Sequence, residues 1–245
     1  MVKKVIVMNT SIDIESVRRL VSEREPGSPI ELKNRSFENM DLSGWDLRNI
    51  DFSGSDFTSV NLDGADLDGA SLHKTWFKDC SMRKAHLTHA DVTEAGMRYL
   101  DLSGTDISGS NLYSSILEYA ILNDIIYDDD TKYYRLACPE EGAFIAWKCC
   151  TEWRVVQLLV PADARRVSAT MDSCRCDKAK VLSIKSIDET ISYTWAQSTV
   201  DPNFYYEVGK WVEPANGFEE DRWRDSSQGI HFFMKREQCV AYQTV

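Results

Sequence analysis

The feature that most constrains this chain is a hydrophobic repeat with a period of five. Every fifth residue from Phe37 to Leu122 is large and apolar, eighteen in succession without a slip of phase. At the chain's 43% hydrophobic content, such a run arises by chance less than about once in a million. Leu32 continues the phase upstream. Two residues before the large position the side chain is usually small, as at Ser55, Ala65, Ala70, Thr75, Ala85 and Ala90. The residue immediately before it is often Asp, as at Asp41, Asp46, Asp51, Asp66, Asp101 and Asp106. Gly44, Gly54, Gly64, Gly69, Gly104 and Gly109 fall two places after it.

Five matches neither the 3.6-residue period of a helix nor the two-residue period of a flat strand. It fits a solenoid in which each five-residue unit forms one side. The large residue and the small one before it point inward, and Asp and Gly suit the corners, where turns and positive φ recur. Four sides close a coil in twenty residues, and coils stack about 4.8 Å apart. One coil cannot bury its own face, so stability comes from its neighbours. Phe37, Phe57 and Phe77, twenty apart, are expected to form one internal ladder.

Ala65-Asp66-Leu67-Asp68-Gly69 and Ala90-Asp91-Val92 resemble the pentapeptide-repeat family and its A(D/N)Lxx consensus. The resemblance covers residues 35–124 and implies a right-handed quadrilateral β-helix. Arg35, Met40, Trp45 and Ile50 depart from it, occupying the small position of the first coil, so that end is expected to be distorted or capped. Residues 1–10 read as a strand, and Thr10–Asp13 as a capping box for a helix ending near Pro26-Gly27. The predicted architecture is mainly β: an N-terminal strand and capping helix over 1–30, a β-helix over 31–125, and a compact α+β domain over 131–245.

In the last segment, strand-like runs occur at 142–148, 153–160, 180–187, 190–195, 205–212 and 229–235, with short helical candidates at 161–166 and 235–242. Cys138–Phe144, Ser173–Val181 and Gly229–Phe233 resemble an uncharacterised domain that follows pentapeptide repeats in bacterial and phage proteins. That resemblance implies no chemistry.

Candidate chemistry in this segment is sparse. Cys138, Cys149, Cys150, Cys174 and Cys176 could supply thiolates, but structural zinc prefers pairs spaced Cys-x2–4-Cys, and neither Cys149-Cys150 nor Cys174-x-Cys176 has that spacing. No metal or other cofactor is therefore expected. Seven cysteines, an odd count, favour reduced thiols throughout. His231, the only histidine of the segment, could act as base to Cys176 or Cys174, with Arg222 or Arg224 nearby. Within the Gly229–Phe233 run, however, it reads as a packed strand residue, and no motif supplies a third group.

The net charge of −11 argues against direct nucleic-acid binding, because phosphates repel such a surface. Residues 31–125 hold 16 acidic and 8 basic side chains. Asp46, Asp66 and Asp106 fall at one phase of the coil, and Asp41 and Asp101 at the adjacent one. The family resemblance implies that such columns can imitate DNA, since some members act as mimics that occupy type II topoisomerases. Length weighs against that partner: 4.5 coils span about 22 Å, equivalent to only six or seven base pairs. A basic cluster, Lys74, Lys78, Arg83 and Lys84, also interrupts the acidic surface. No window reaches the length of a membrane span, and Met1–Thr10 has too short an apolar run for a signal peptide, so a cytoplasmic location is expected.

The leading expectation is a non-enzymatic protein-binding module of a bacterium or phage. Homodimerisation is one expected mode of association, and inhibition of a DNA-acting enzyme such as a type II topoisomerase, or of a defence protein, is the expected activity. The alternative gives the C-terminal domain a ligand, a nucleotide or a small catalytic role; a pocket gathering its candidate groups would favour that reading.

Overall fold

The computed structural model describes residues 10–24 and 30–243, and the chain divides into two units, 1–134 and 135–245. Except for Thr10, the strand expected over residues 1–10 lies outside the described residues. In the first unit β1 (Thr10–Ser11) runs parallel to β3 (Arg35–Glu38), pairing Thr10 with Arg35. Helix α1 (Ile14–Ser22) is capped by Asp13, not by Thr10. The Asp13 carboxylate accepts from the Ser16 N–H at 2.9 Å and from its hydroxyl at 2.7 Å. Val17 is fully buried, and Arg18 lies 5.5 Å over the Trp45 ring, so the departure in the first coil is met by a cap.

The β-helix follows the period of five. Strands β2 (Ile30–Glu31), β3, β4 (Ile50–Asp51), β5 (Asp56–Thr58) and β6 (Trp76–Lys78) are its extended pieces, and β3, β5 and β6 stack in parallel at twenty-residue register. Other sides are joined by single parallel bridges, such as Asp91 with Asn111. Successive coils share a backbone ladder: the Leu67 N–H donates to the His86 carbonyl at 2.8 Å, and the His86 N–H to the Ala65 carbonyl at 2.9 Å. Phe37, Phe57 and Phe77 stack at centroid separations of 4.5 and 5.0 Å.

Every fifth residue from Asn34 to Asp124 has φ between 52 and 71°, nineteen corners in succession. Six are the glycines of the pattern; the other thirteen include Lys84, Glu94 and Tyr99. At Gly64 the Ala65 N–H donates back to the Leu62 carbonyl at 3.1 Å, closing a type II turn. Ser and Thr at the small inward position donate to backbone carbonyls, as Thr75 does to Leu72 at 2.6 Å and Thr105 to Met82 at 2.7 Å. A hydroxyl there is thus buried and satisfied.

The second unit is built on a seven-stranded antiparallel sheet. Its strands are β7 (Phe144–Cys150), β8 (Arg154–Val160), β9 (Arg166–Ser168), β10 (Ser173–Cys176), β11 (Ala179–Ser186), β14 (Trp211–Val212) and β15 (Ile230–Phe233). They are ordered β14-β11-β8-β7-β15-β10-β9. A hairpin of β12 (Trp195–Gln197) and β13 (Tyr205–Glu207) contributes Ala196 and Tyr206 to the core on one face, together with Val156, Leu158 and Phe232. Helix α2 (Arg236–Gln243) packs on β7, where Cys239 meets Cys149 and Val155.

Three expectations are corrected. The segment 161–166 turns rather than forming a helix, and Arg166 opens β9. The 190–195 run enters the hairpin only at Trp195. Reduced thiols throughout were expected, but Cys149 and Cys239 are joined as a disulfide across 90 residues, with Cα atoms 5.7 Å apart. The contact between α2 and β7 creates this pair, and cysteine spacing does not encode it.

Candidate functional site

The β-helix positions its acidic columns by register. Asp46 bridges Asp66, which bridges His86, which bridges Asp106; Asp41 and Asp101 are linked through Asn61 and Ser81. Each of the five carboxylates accepts the backbone N–H two residues on: Ser43 for Asp41 at 3.1 Å, Arg48 for Asp46 at 3.3 Å, Asp68 for Asp66 at 3.1 Å, Ser103 for Asp101 at 3.0 Å and Ser108 for Asp106 at 3.0 Å. These Asx turns explain why Asp precedes the large residue so often. Cations then offset part of the charge. Arg24 and Arg48 each reach Asp46 at 2.8 Å, and Arg48 lies 3.4 Å from Asp66. The Arg48 hydrogen bonds, with Arg24, hold the Asp46 carboxyl far below the usual carboxylate range. Among the described residues, Asp41 and Asp106 are the two of the five without a cation within 4.0 Å, since Arg83 stands at that distance from Asp101.

The sequence reading missed an aromatic stripe. The Trp76 ring lies against Gly96, where a Cβ would come within 2.2 Å of it. Tyr99 and Tyr119, at corners twenty residues apart, stack at 5.0 Å and 15°. Trp76 is 50% exposed, Tyr99 70% and Tyr119 47%, and Ile121 on the adjoining side is exposed too. Arg98 and Glu118 pair at 2.8 Å between the two corners. The signal was in the sequence: two tyrosines at corner positions, one coil apart.

In the second unit the structure does not assemble the sequence-derived candidates. Arg175 faces His231 across the β10–β15 ladder, while Cys174 and Cys176 are opposite Phe232 and Ile230. Strand alternation therefore puts the two thiols and the imidazole on opposite faces of the sheet. The Cys138 thiol and burial push the Cys174 thiol upward, and burial pushes Cys176 up to about 12, so both stay protonated. Cys149 is spent in the disulfide. Arg222 donates to the Ser168 carbonyl at 2.8 Å and Arg224 to Glu219 at 2.6 Å, both holding loops. Among the described residues, no group of three or more His, Cys, Asp or Glu side chains gathers as a metal site.

One residue that the motif reading passed over, Arg175, matters more. Arg175, 1% exposed, donates to the carbonyls of Glu219, Asp221 and Asp225, tying down the loop ahead of β15. That loop walls a cavity of about 580 Å³ whose lining includes Lys148, Phe204, Tyr206, Ser226, Gln228 and His231. His231 donates through Nε2 to the Ser227 carbonyl at 2.9 Å, which leaves Nδ1 as an acceptor, and burial holds its pKa below the ordinary histidine value.

Residues 36–73 and 77–113 match the model for pentapeptide repeats, in eight copies, and residues 134–239 match a family of unknown function, DUF5758. No curated protein matches the chain. Similar solved structures include the pentapeptide repeat protein Rfr23 from the cyanobacterium Cyanothece 51142, at 18% identity over 48% of this chain and 96% of that one, TM-score 0.23. Another is alr5209, a pentapeptide repeat protein from Nostoc Pcc 7120, at 21% identity over 49% and 89%, TM-score 0.24. A third is QnrB1, a plasmid-mediated fluoroquinolone resistance protein, at 16% identity over 50% and 89%, TM-score 0.16.

Proposed function

We propose that this chain, pentapeptide repeats followed by a domain of unknown function, is a non-enzymatic protein-binding module. The observation that carries the reading is the exposed stripe of Trp76, Tyr99, Tyr119 and Ile121 on a backbone braced by inter-coil hydrogen bonds. Tyr and Trp dominate binding hot spots because they bury much area for little rotamer entropy. Here the stacking of Tyr99 on Tyr119 and the seating of the Trp76 ring on Gly96 have already oriented the rings, so less ordering remains to be done on binding.

The acidic columns set the partner's charge. Asp41, Asp66, Asp101 and Asp106 flank the corners with carboxylates and favour a protein that offers a basic surface, as DNA-acting enzymes do. A type II topoisomerase or a defence protein fits that description, and inhibition by occupying its DNA cleft is the finer form of the proposal.

The test is affinity capture from host lysate with wild type, with Tyr99→Ala/Tyr119→Ala and with Asp66→Asn/Asp106→Asn. A partner lost with the tyrosine pair, and held more weakly at higher salt by the Asn pair, supports the reading. A partner that binds both variants as it binds wild type overturns it. Capture of a second copy of this chain, followed by sedimentation as a dimer, would replace the heterologous partner with self-association.

A further inference from the structure

We infer that the cavity of the second unit is a binding site for a small ligand that carries an anionic oxygen group on an apolar body, with Lys148 as its charge partner. The argument begins with the strand. On the face of the sheet that carries the core, β7 alternates Phe144, Ala146, Lys148 and Cys150, and β8 alternates Val156, Leu158 and Val160. Lys148 pairs with Val156 in the middle of this apolar surface, on a strand with neighbours on both sides. A lysine there is costly to fold unless its ammonium is compensated.

Lys148 is half-buried, and its ammonium faces open space rather than a counter-charge. Among the described residues no carboxylate lies within 4.0 Å of the Lys148 ammonium, and burial holds its pKa below the ordinary lysine value. What it meets is space. β15 pairs with β7 only at Phe233 and Trp147, and the cavity opens where that pairing stops. About 580 Å³ accommodates a ligand of metabolite size.

The lining matches the chemistry at both ends. Among the described residues, Ser173, Thr199, Ser226 and Gln228 present side chains with no hydrogen-bond partner in the protein, and the His231 Nδ1 is uncommitted. Phe204, Phe233 and Met171 supply an apolar wall. Two carboxylates also line the space: Asp201 accepts the Asn203 N–H at 2.9 Å, and Asp225 acts electrostatically on Arg175 and His231 rather than on Lys148. The Lys148 end of the cavity is therefore its electropositive end. An entering carboxylate or phosphate supplies the missing counter-charge, and charge-assisted hydrogen bonds follow.

The experiment is calorimetric titration of the full chain with three probes: inorganic phosphate, benzoate and adenosine monophosphate. Phosphate alone reads the anionic group, benzoate a carboxylate on a ring, and the nucleotide a phosphate on a larger body. At least one organic probe should bind, more tightly than inorganic phosphate. Lys148→Met should weaken that binding about ten- to hundredfold, the range for losing a hydrogen bond to a charged group. The same variant should melt no lower than wild type without ligand, since it removes an uncompensated charge; a purely structural lysine would lower the melt. If the Met variant does not fold, Ser226→Ala/Gln228→Ala reports on the same cavity and should weaken binding. Absence of binding by all three probes at millimolar concentration overturns the proposal, and so does binding that Lys148→Met leaves unchanged.

Discussion

Gly96 shows how tightly a single position is specified. It falls at an outward position of its coil, one that residues as different as Ser36, Asp56 and Ile116 occupy in other coils, yet the Trp76 ring covers it within 2.2 Å of where a Cβ would stand. We expect Gly96→Ala to destabilise the β-helix by about 1–3 kcal/mol, the usual cost of overpacking. In a Trp76→Ala background the same change should cost little, so a double-mutant cycle by chemical denaturation measures the coupling directly. Equal effects in both backgrounds would mean that the ring is not what requires glycine. The five outward Asp residues carry a similar lesson. Their carboxylates serve backbone N–H groups first, so a count of negative charge alone overstates what a partner meets.

At the scale of elements, β10 links the core to the loop that walls the cavity. Its Cys-Arg-Cys run places two thiols in the core, and Arg175 on the other face gathers three loop carbonyls. Arg175→Met should lower stability by about 2–4 kcal/mol, because truncation leaves buried carbonyls without donors. It should also speed amide exchange over residues 219–228 ahead of the rest of the unit. Exchange raised equally throughout the sheet would show that Arg175 serves the sheet and not the loop. The same run explains what sequence reading recovers. Eighteen apolar residues at fixed phase make the β-helix and its Phe ladder legible, because each coil repeats the same solution. β9 and β10 were not legible, since their alternation is masked by buried Arg166 and Arg175. The cavity was not legible either: Lys148 and Ser226 are 78 positions apart and meet only through strand order.

At the scale of the whole molecule, each unit is stabilised internally by its own means. The first is stitched coil to coil by backbone ladders, while the second closes a long loop through Cys149 and Cys239. Cross-linking residues 90 apart removes chain entropy worth about 4–5 kcal/mol from the unfolded state. Adding a reductant should therefore lower the melting transition of residues 135–245. Tyr99 and Tyr119 lie in the first unit, which has no disulfide among its described residues, and their environment should report an unchanged transition. A reductant that left the second transition in place would show that the crosslink adds nothing. The nineteen left-handed corners have a consequence for how such a chain can change in size. One residue gained or lost would shift every later side chain between inside and outside. Twenty gained or lost would slide the aromatic stripe along the axis by one coil, about 4.8 Å, without turning it. Length in this half is therefore digital: the distance between the N-terminal cap and any surface feature is an inherited whole number of steps.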